Sequence, residues 1–143
     1  MWQYETTVVW KAAKEGKLHA GGKPEVCVAA PPDSGGPHND WSPEQLLAGA
    51  VGAGLMTSAL YYLERAGVDL RSYMSNATAT IDKTGEEPAF MEVVVEISMA
   101  VADEADMKKA RNAVLCAEKT CPISSCLQCP VRGHADVRSP AMR

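Results

Sequence analysis

A single phenylalanine and an aromatic content of 6% leave this 143-residue chain without material for a base-stacking platform. Positive charge is also short. Asp and Glu total 18 against 14 Lys and Arg, and the net charge of −4 with scattered basic residues argues against a phosphate-binding surface, so no nucleic acid partner is expected. The opening Met1-Trp2-Gln3-Tyr4-Glu5 has neither a basic stretch nor an apolar run, so no secretory signal is expected. Five cysteines cannot all pair within one chain, and with no export signal the thiols are expected to be reduced, in the cytoplasm. Repeats and low-complexity runs are absent. No cofactor is expected either.

What remains is ordinary globular material: 46% hydrophobic and 22% charged residues. The length suits one domain, since domains commonly run to about 100–150 residues. One domain over residues 1–143 is the expectation.

Residues 2–10 alternate, with Trp2, Tyr4, Thr6, Val8 and Trp10 on one face, and read as a strand. Short strands are expected near Leu18-His19 and over 25–29, separated by the turn at Gly21-Gly22. Residues 30–41, with three prolines and two glycines, read as a surface loop. Ser42-Pro43-Glu44-Gln45 then opens the clearest helix. Ser42 is its N-cap, Gln45 completes a capping box, Glu44 complements the dipole, and Gly67 is its C′ residue.

Residues 46–63 of that helix carry no charge. A run of this length could span a membrane, but Thr57, Ser58, Tyr61, Tyr62 and three glycines dilute it. No membrane partner is expected. A helix apolar on all sides is instead a buried central one, and one small domain can hardly surround it. A homodimer is the expectation.

Strands are expected over 72–82 and 90–101, the second with Met91, Val93, Val95, Ile97, Met99 and Val101 on one face. Asp103 caps a second helix with an apolar stripe at Met107, Ala110, Val114 and Ala117. Residues 131–137 alternate again. Sheet, helix, hairpin, helix and strand make an α+β fold.

Cys121 is the leading chemical candidate. Pro122 biases it out of helical geometry, which puts it at the N-cap of a new turn, where backbone N–H groups and Lys119 favour a thiolate. A buried packing cysteine is the competing reading. Cys121, Cys126 and Cys129 form C-x4-C-x2-C with His134 further on, so Cys126, Cys129 and His134 are weak metal-ligand candidates, and a local disulfide is a second option. Cys27 and Cys116 read as packing residues, and His19 and His38 as solvated ones.

The run from Ser42 to Ala50 (Ser-Pro-Glu-Gln-Leu-Leu-Ala-Gly-Ala), followed by the run from Ala117 to Ser124 (Ala-Glu-Lys-Thr-Cys-Pro-Ile-Ser), resembles the OsmC/Ohr family of osmotically inducible and organic hydroperoxide resistance proteins. Gly67-Val68-Asp69-Leu70 adds to the likeness, which extends from Trp10 to Val137. The resemblance implies antiparallel sheets around a buried central helix in an intertwined homodimer. It also implies reduction of organic hydroperoxides by two cysteines. A peroxidatic thiolate on the central helix attacks the peroxide, a resolving cysteine in the Cys-Pro segment forms a disulfide with it, and a dithiol reductant reopens that bond. By position Cys121 is the resolving cysteine and Glu44 the assisting glutamate. The peroxidatic position falls on Gly54, and the position of the family's assisting arginine near the amino terminus falls on Lys14, a point charge without the planar fork. No cysteine lies between residues 28 and 115. Three functions stand open: altered thiol chemistry centred on Cys121, binding of a small apolar ligand in space left by Gly54, and a structural dimer.

Overall fold

The computed structural model describes residues 1–140. It divides into two compact units, one over Met1–Leu47 and one from Ala48 onward.

The first unit holds an antiparallel sheet of β1 (Thr7–Ala12), β2 (Glu15–His19) and β3 (Val26–Ala29), in that order. β1 starts at Thr7 rather than at Trp2, because β2 gives it partners only as far as the pair Thr7–His19. Trp2 and Tyr4 alternate without a strand to pair with and stay exposed. The turn between β1 and β2 places Ala13 at φ 46°, and a register shift lies between Trp10 and Ala12. The proline-rich loop is ordered by a 3-10 turn at Pro32–Ser34 and by a bridge from Val28 to Trp41.

Helix α1 (Pro43–Arg65) begins in this unit and continues into the second. Its start is the expected capping box: the Gln45 N–H donates to Ser42 Oγ at 3.1 Å, and the Ser42 N–H donates to Gln45 Oε1 at 3.1 Å. Its end is a Schellman motif. Gly67 adopts φ 70°, its N–H donates to the Glu64 carbonyl, and the Val68 N–H reaches back to that of Leu63.

The second unit is built on β4 (Leu70–Asp82), β5 (Ala89–Val101) and β6 (Val131–Arg138), in that order. The β4–β5 hairpin is antiparallel, with Ala77 opposite Val95. β6 runs parallel to β5, with Val95 opposite Gly133. This corrects the expectation of purely antiparallel sheets. The chain returns to the sheet through α2 (Met107–Thr120) and α3 (Pro122–Ser125), and a helical crossover of that length delivers a parallel strand. A 3-10 turn at Glu104–Asp106 leads into α2, so Asp103 caps that turn and not the helix itself.

The core of this unit is one face of β5 (Val93, Val95, Ile97, Met99, Val101) covered by two helical stripes. α2 contributes Met107, Ala110, Val114 and Ala117, as its 3.6-residue period implies. α1 contributes Val51, Leu55, Ala59 and Leu63, one residue per turn. A Cβ built on Gly52 would lie 3.5 Å from Ala77 Cβ, so the helix rests directly on the sheet. Within one chain α1 is therefore covered along a single stripe, not all round. Ala50, Ala53, Thr57, Leu60 and Tyr61 remain exposed on the opposite side.

Candidate functional site

Gly54 and Cys121 meet. A Cβ built on Gly54 would lie 3.1 Å from Cys121 Sγ, 3.1 Å from Ile123 Cγ1 and 3.3 Å from Ile123 Cβ. Two positions 67 residues apart in the sequence are thus neighbours in the fold. Cys121 and Ile123 close on Gly54 so tightly that even a Cβ there needs them to give by a few tenths of an ångström. The expectation of room for a ligand there is corrected accordingly.

Cys121 ends α2 and starts α3. Its φ of −66° and ψ of 117° are extended, as Pro122 requires of its predecessor, and it is the N-cap of α3 as expected. Its side chain is fully buried. Burial is the largest influence on the thiol and pushes its pKa up, because it disfavours the thiolate. Donors from three residues outweigh it: the N–H and hydroxyl of Ser124, the N–H of Ile123 and the hydroxyl of Ser58. The net result is a thiol below its ordinary pKa of 9.0. The Ser124 hydroxyl is buried and completes no hydrogen bond of ordinary geometry, so it acts on the sulfur as a nearby dipole. Lys119, expected to assist, is not among the groups acting on Cys121.

Acidity and access here oppose one another. A thiolate is the reactive form, but a sulfur with no exposed surface meets bulky reagents slowly. The pH midpoint of reaction is therefore the quantity to read, not the absolute rate. In residue-resolved alkylation by iodoacetamide, Cys121 is expected to show a midpoint below 9.0. Ser58→Ala and Ser124→Ala are each expected to raise that midpoint, since each hydroxyl favours the thiolate. An unchanged midpoint in both variants would remove the hydroxyls from the account.

Sequence reading missed Ser58 and Ser124 as members of this site. Ser58 lies one helical turn after Gly54, which was the available signal. Glu118 was missed as well. Its Oε1 is buried without a hydrogen-bond partner, and a Cβ on Gly133 would come within 2.6 Å of it, so the carboxyl lies flat on β6. Burial raises its pKa above 4.5, against the opposing pull of the Gly133 N–H and His134.

The remaining candidates are placed as follows. Lys14 and Glu44 both belong to the first unit. Lys14 Nζ donates to the Ser34 carbonyl, and no ion pair joins it to Glu44 among the described residues. Glu44 Oε2 is buried without a partner. All five cysteines are free thiols. Cys126 is exposed and donates to the Ile123 carbonyl at 3.0 Å, Cys129 packs against the core, and His134 is exposed on β6. Among the described residues no three metal-donor side chains converge, so the structure does not assemble Cys126, Cys129 and His134 as ligands. Cys27 and Cys116, expected to pack, are both exposed.

Comparison with known proteins bears on the fold and the family. The family model described as OsmC-like protein matches residues 36–134. Among solved structures, the chain is similar to an OsmC-like protein of unknown function from Vibrio cholerae O1 biovar eltor, with a TM-score of 0.87 at 15% identity over 95% of this chain and 100% of the other. It is similar to an organic hydroperoxide resistance protein from Elizabethkingia anophelis, with a TM-score of 0.75 at 17% identity over 97% of each chain. An organic hydroperoxide resistance protein OsmC from Legionella pneumophila gives a TM-score of 0.71 at 18% identity over 97% of this chain and 98% of the other. Curated proteins give no match. With its α+β architecture and a family match covering well over half its length, the chain belongs to the OsmC-like protein family.

Proposed function

We propose that this chain is a cytoplasmic, homodimeric stress-response protein in which the two-cysteine reduction of organic hydroperoxides is impaired. The observation that carries this reading is the pairing of Gly54 with Cys121. A Cβ built at the position expected to hold the attacking thiol would lie 3.1 Å from the Cys121 sulfur, and Gly54 has no side chain there. The first bond to peroxide oxygen cannot form at Gly54. Cys121 is more acidic than an ordinary thiol and is buried, which suits a resolving rather than an attacking role. Catalysis depends steeply on the positioning of the attacking atom, and a resolving thiol is not placed for that attack. By position in the sequence Glu44 matches the assisting glutamate of the family and Lys14 its arginine.

Turnover of cumene hydroperoxide with dithiothreitol tests the proposal. Wild type is expected to consume peroxide no faster than an ordinary exposed thiol, and Cys121→Ser is expected to change little. Robust wild-type turnover that vanishes in Cys121→Ser would mean that Cys121 itself has taken the peroxidatic role.

A second reading, binding of a small apolar molecule without chemistry, is favoured by a different feature. The first unit has a groove of about 360 Å³ lined by Val8, Trp10, Val28, Ala29 and Pro43, with Lys14 at its side. Saturable binding of an apolar probe there, with no turnover in any variant, would support this reading over the first.

A further inference from the structure

A second thiol stands in a different setting. Between the end of α1 and the face of α2 lies a cleft of about 330 Å³, lined by Tyr62, Arg65, Lys109, Asn112, Ala113 and Cys116. Its floor is apolar and its charged side chains are both cations. Lys109 shares its charge with Asp106 at 3.5 Å, whereas Arg65 has no acidic partner among the described residues. Arg65 is held in place instead by Tyr61, whose hydroxyl accepts from its guanidinium at 2.7 Å and whose ring centre lies 5.4 Å away. The backbone at Cys116 is fixed too. The Thr120 hydroxyl donates to the Cys116 carbonyl at 2.8 Å and itself accepts from the Tyr62 hydroxyl at 2.9 Å. An exposed thiol is thus presented on a tethered turn of helix, in a cleft with one unpaired cation, Arg65.

We propose that this cleft is a site of mixed-disulfide formation with anionic low-molecular-weight disulfides of the glutathione type. The reaction is an exchange. The Cys116 thiolate attacks one sulfur of the disulfide, the old S–S bond breaks, and a new one joins Cys116 to that half. The other half leaves as a thiolate and takes up the proton that Cys116 lost. The disulfide is the oxidant, and a free thiol in excess reverses the step. Arg65, Lys109 and the Asn112 amide meet the carboxylates of the incoming molecule, and Tyr62 and Ala113 meet its aliphatic part. Cys121 takes no part, so the proposal stands whether or not the chain turns over peroxides.

The full chain supplies its own references, because Cys27 and Cys126 are also exposed thiols. Native protein is incubated with glutathione disulfide, with the cationic disulfide cystamine, or with neutral hydroxyethyl disulfide. Adducts are then counted cysteine by cysteine by mass spectrometry. At Cys116 glutathione disulfide is expected to react about twofold faster than cystamine, the scale that one free exposed cation supplies, with high salt erasing the preference. Cys126 is expected to show no such preference. Arg65→Gln and Lys109→Gln are each expected to reduce the ratio at Cys116. The proposal is overturned if Cys116 reacts with glutathione disulfide no faster than Cys27 and Cys126, or if wild type prefers the cationic reagent. These readings need no variant to fold.

Discussion

Gly54→Cys is expected to turn a poor hydroperoxide reductase into a working one, raising turnover by roughly a hundredfold or more over wild type. The geometry is already set. In a disulfide the Cβ of one cysteine lies about 3.0 Å from the sulfur of the other, given an S–S bond near 2.04 Å. The Cβ built on Gly54 lies 3.1 Å from Cys121 Sγ. A thiol at this position can therefore be oxidised by peroxide and then resolved by Cys121 with little movement of either backbone. Ile123 is the obstacle, with Cγ1 3.1 Å and Cβ 3.3 Å from the same point, and it must give by a few tenths of an ångström. Leaving glycine in a helix interior gains about 0.5–1 kcal/mol, which the crowding offsets, so stability should change little. Ile123→Ala added to Gly54→Cys is expected to relieve the crowding and raise turnover further. Lys14→Arg is expected to add to it independently, by restoring a forked donor where a point charge now bonds the Ser34 carbonyl. Gly54→Ala is the control for packing and should stay inactive. The measurement is peroxide consumption with a dithiol reductant, beside a mass assay for the new disulfide. A variant that folds and forms this disulfide yet does not turn over peroxide would disprove the reading of Gly54 as the missing nucleophile.

The parts of this site differ in how far the sequence reveals them. The limits of α1 were legible because capping is local. Ser42, Gln45 and Gly67 satisfy backbone groups within a few residues of themselves, so their types announce the helix ends. The inward face of β5 was legible for a similar reason, since a period of two survives whatever the strand pairs with. Cys121 as an N-cap followed from Pro122 alone. Other features depend on partners far along the chain. The direction of β6 is set by the crossover through α2, which alternation in residues 131–137 cannot express. β1 falls short of Trp2 because β2 is short, not because residues 2–6 lack a strand pattern. Cys116 lies on a helix whose stripe is carried by Met107, Ala110, Val114 and Ala117, and it falls off that stripe into an open cleft. Ser58 and Ser124 act on Cys121 only once α1 and α3 converge on one sulfur, and a hydroxyl in isolation signals nothing of the kind.

The chain is expected to sediment as a dimer at micromolar concentration, and Ala53→Arg is expected to abolish that dimer. Only 28% of the most apolar 18-residue window of α1 is buried within a single chain, although its mean hydropathy is 1.5. The buried stripe through Val51, Leu55, Ala59 and Leu63 accounts for one side. Ala50, Ala53, Thr57 and Leu60 stand on another, at spacings of three, four and three residues, the pattern of a seam between packed helices. Tyr61 beside them is 52% exposed. Small residues at positions 49, 50 and 53 let a second helix approach closely. In the first unit Val8, Val9 and Trp10 expose 63%, 53% and 73% of their surface on a short sheet, a second area that a partner would cover. An obligate dimer usually buries more than about 2,000 Å² in total, and a helix seam together with an apolar sheet can supply that. Placing a guanidinium at position 53 puts a charge where the second helix should pack, and desolvating it there is more costly than the contact returns. Because association stabilises the fold by mass action, the wild-type melting temperature should rise with protein concentration. The variant should melt lower and without that dependence. Sedimentation velocity and melting curves across a hundredfold range of concentration decide the matter. A wild-type monomer that stays folded at micromolar concentration would mean that the apolar seam on α1 faces water, and the proposed dimer would have to be abandoned.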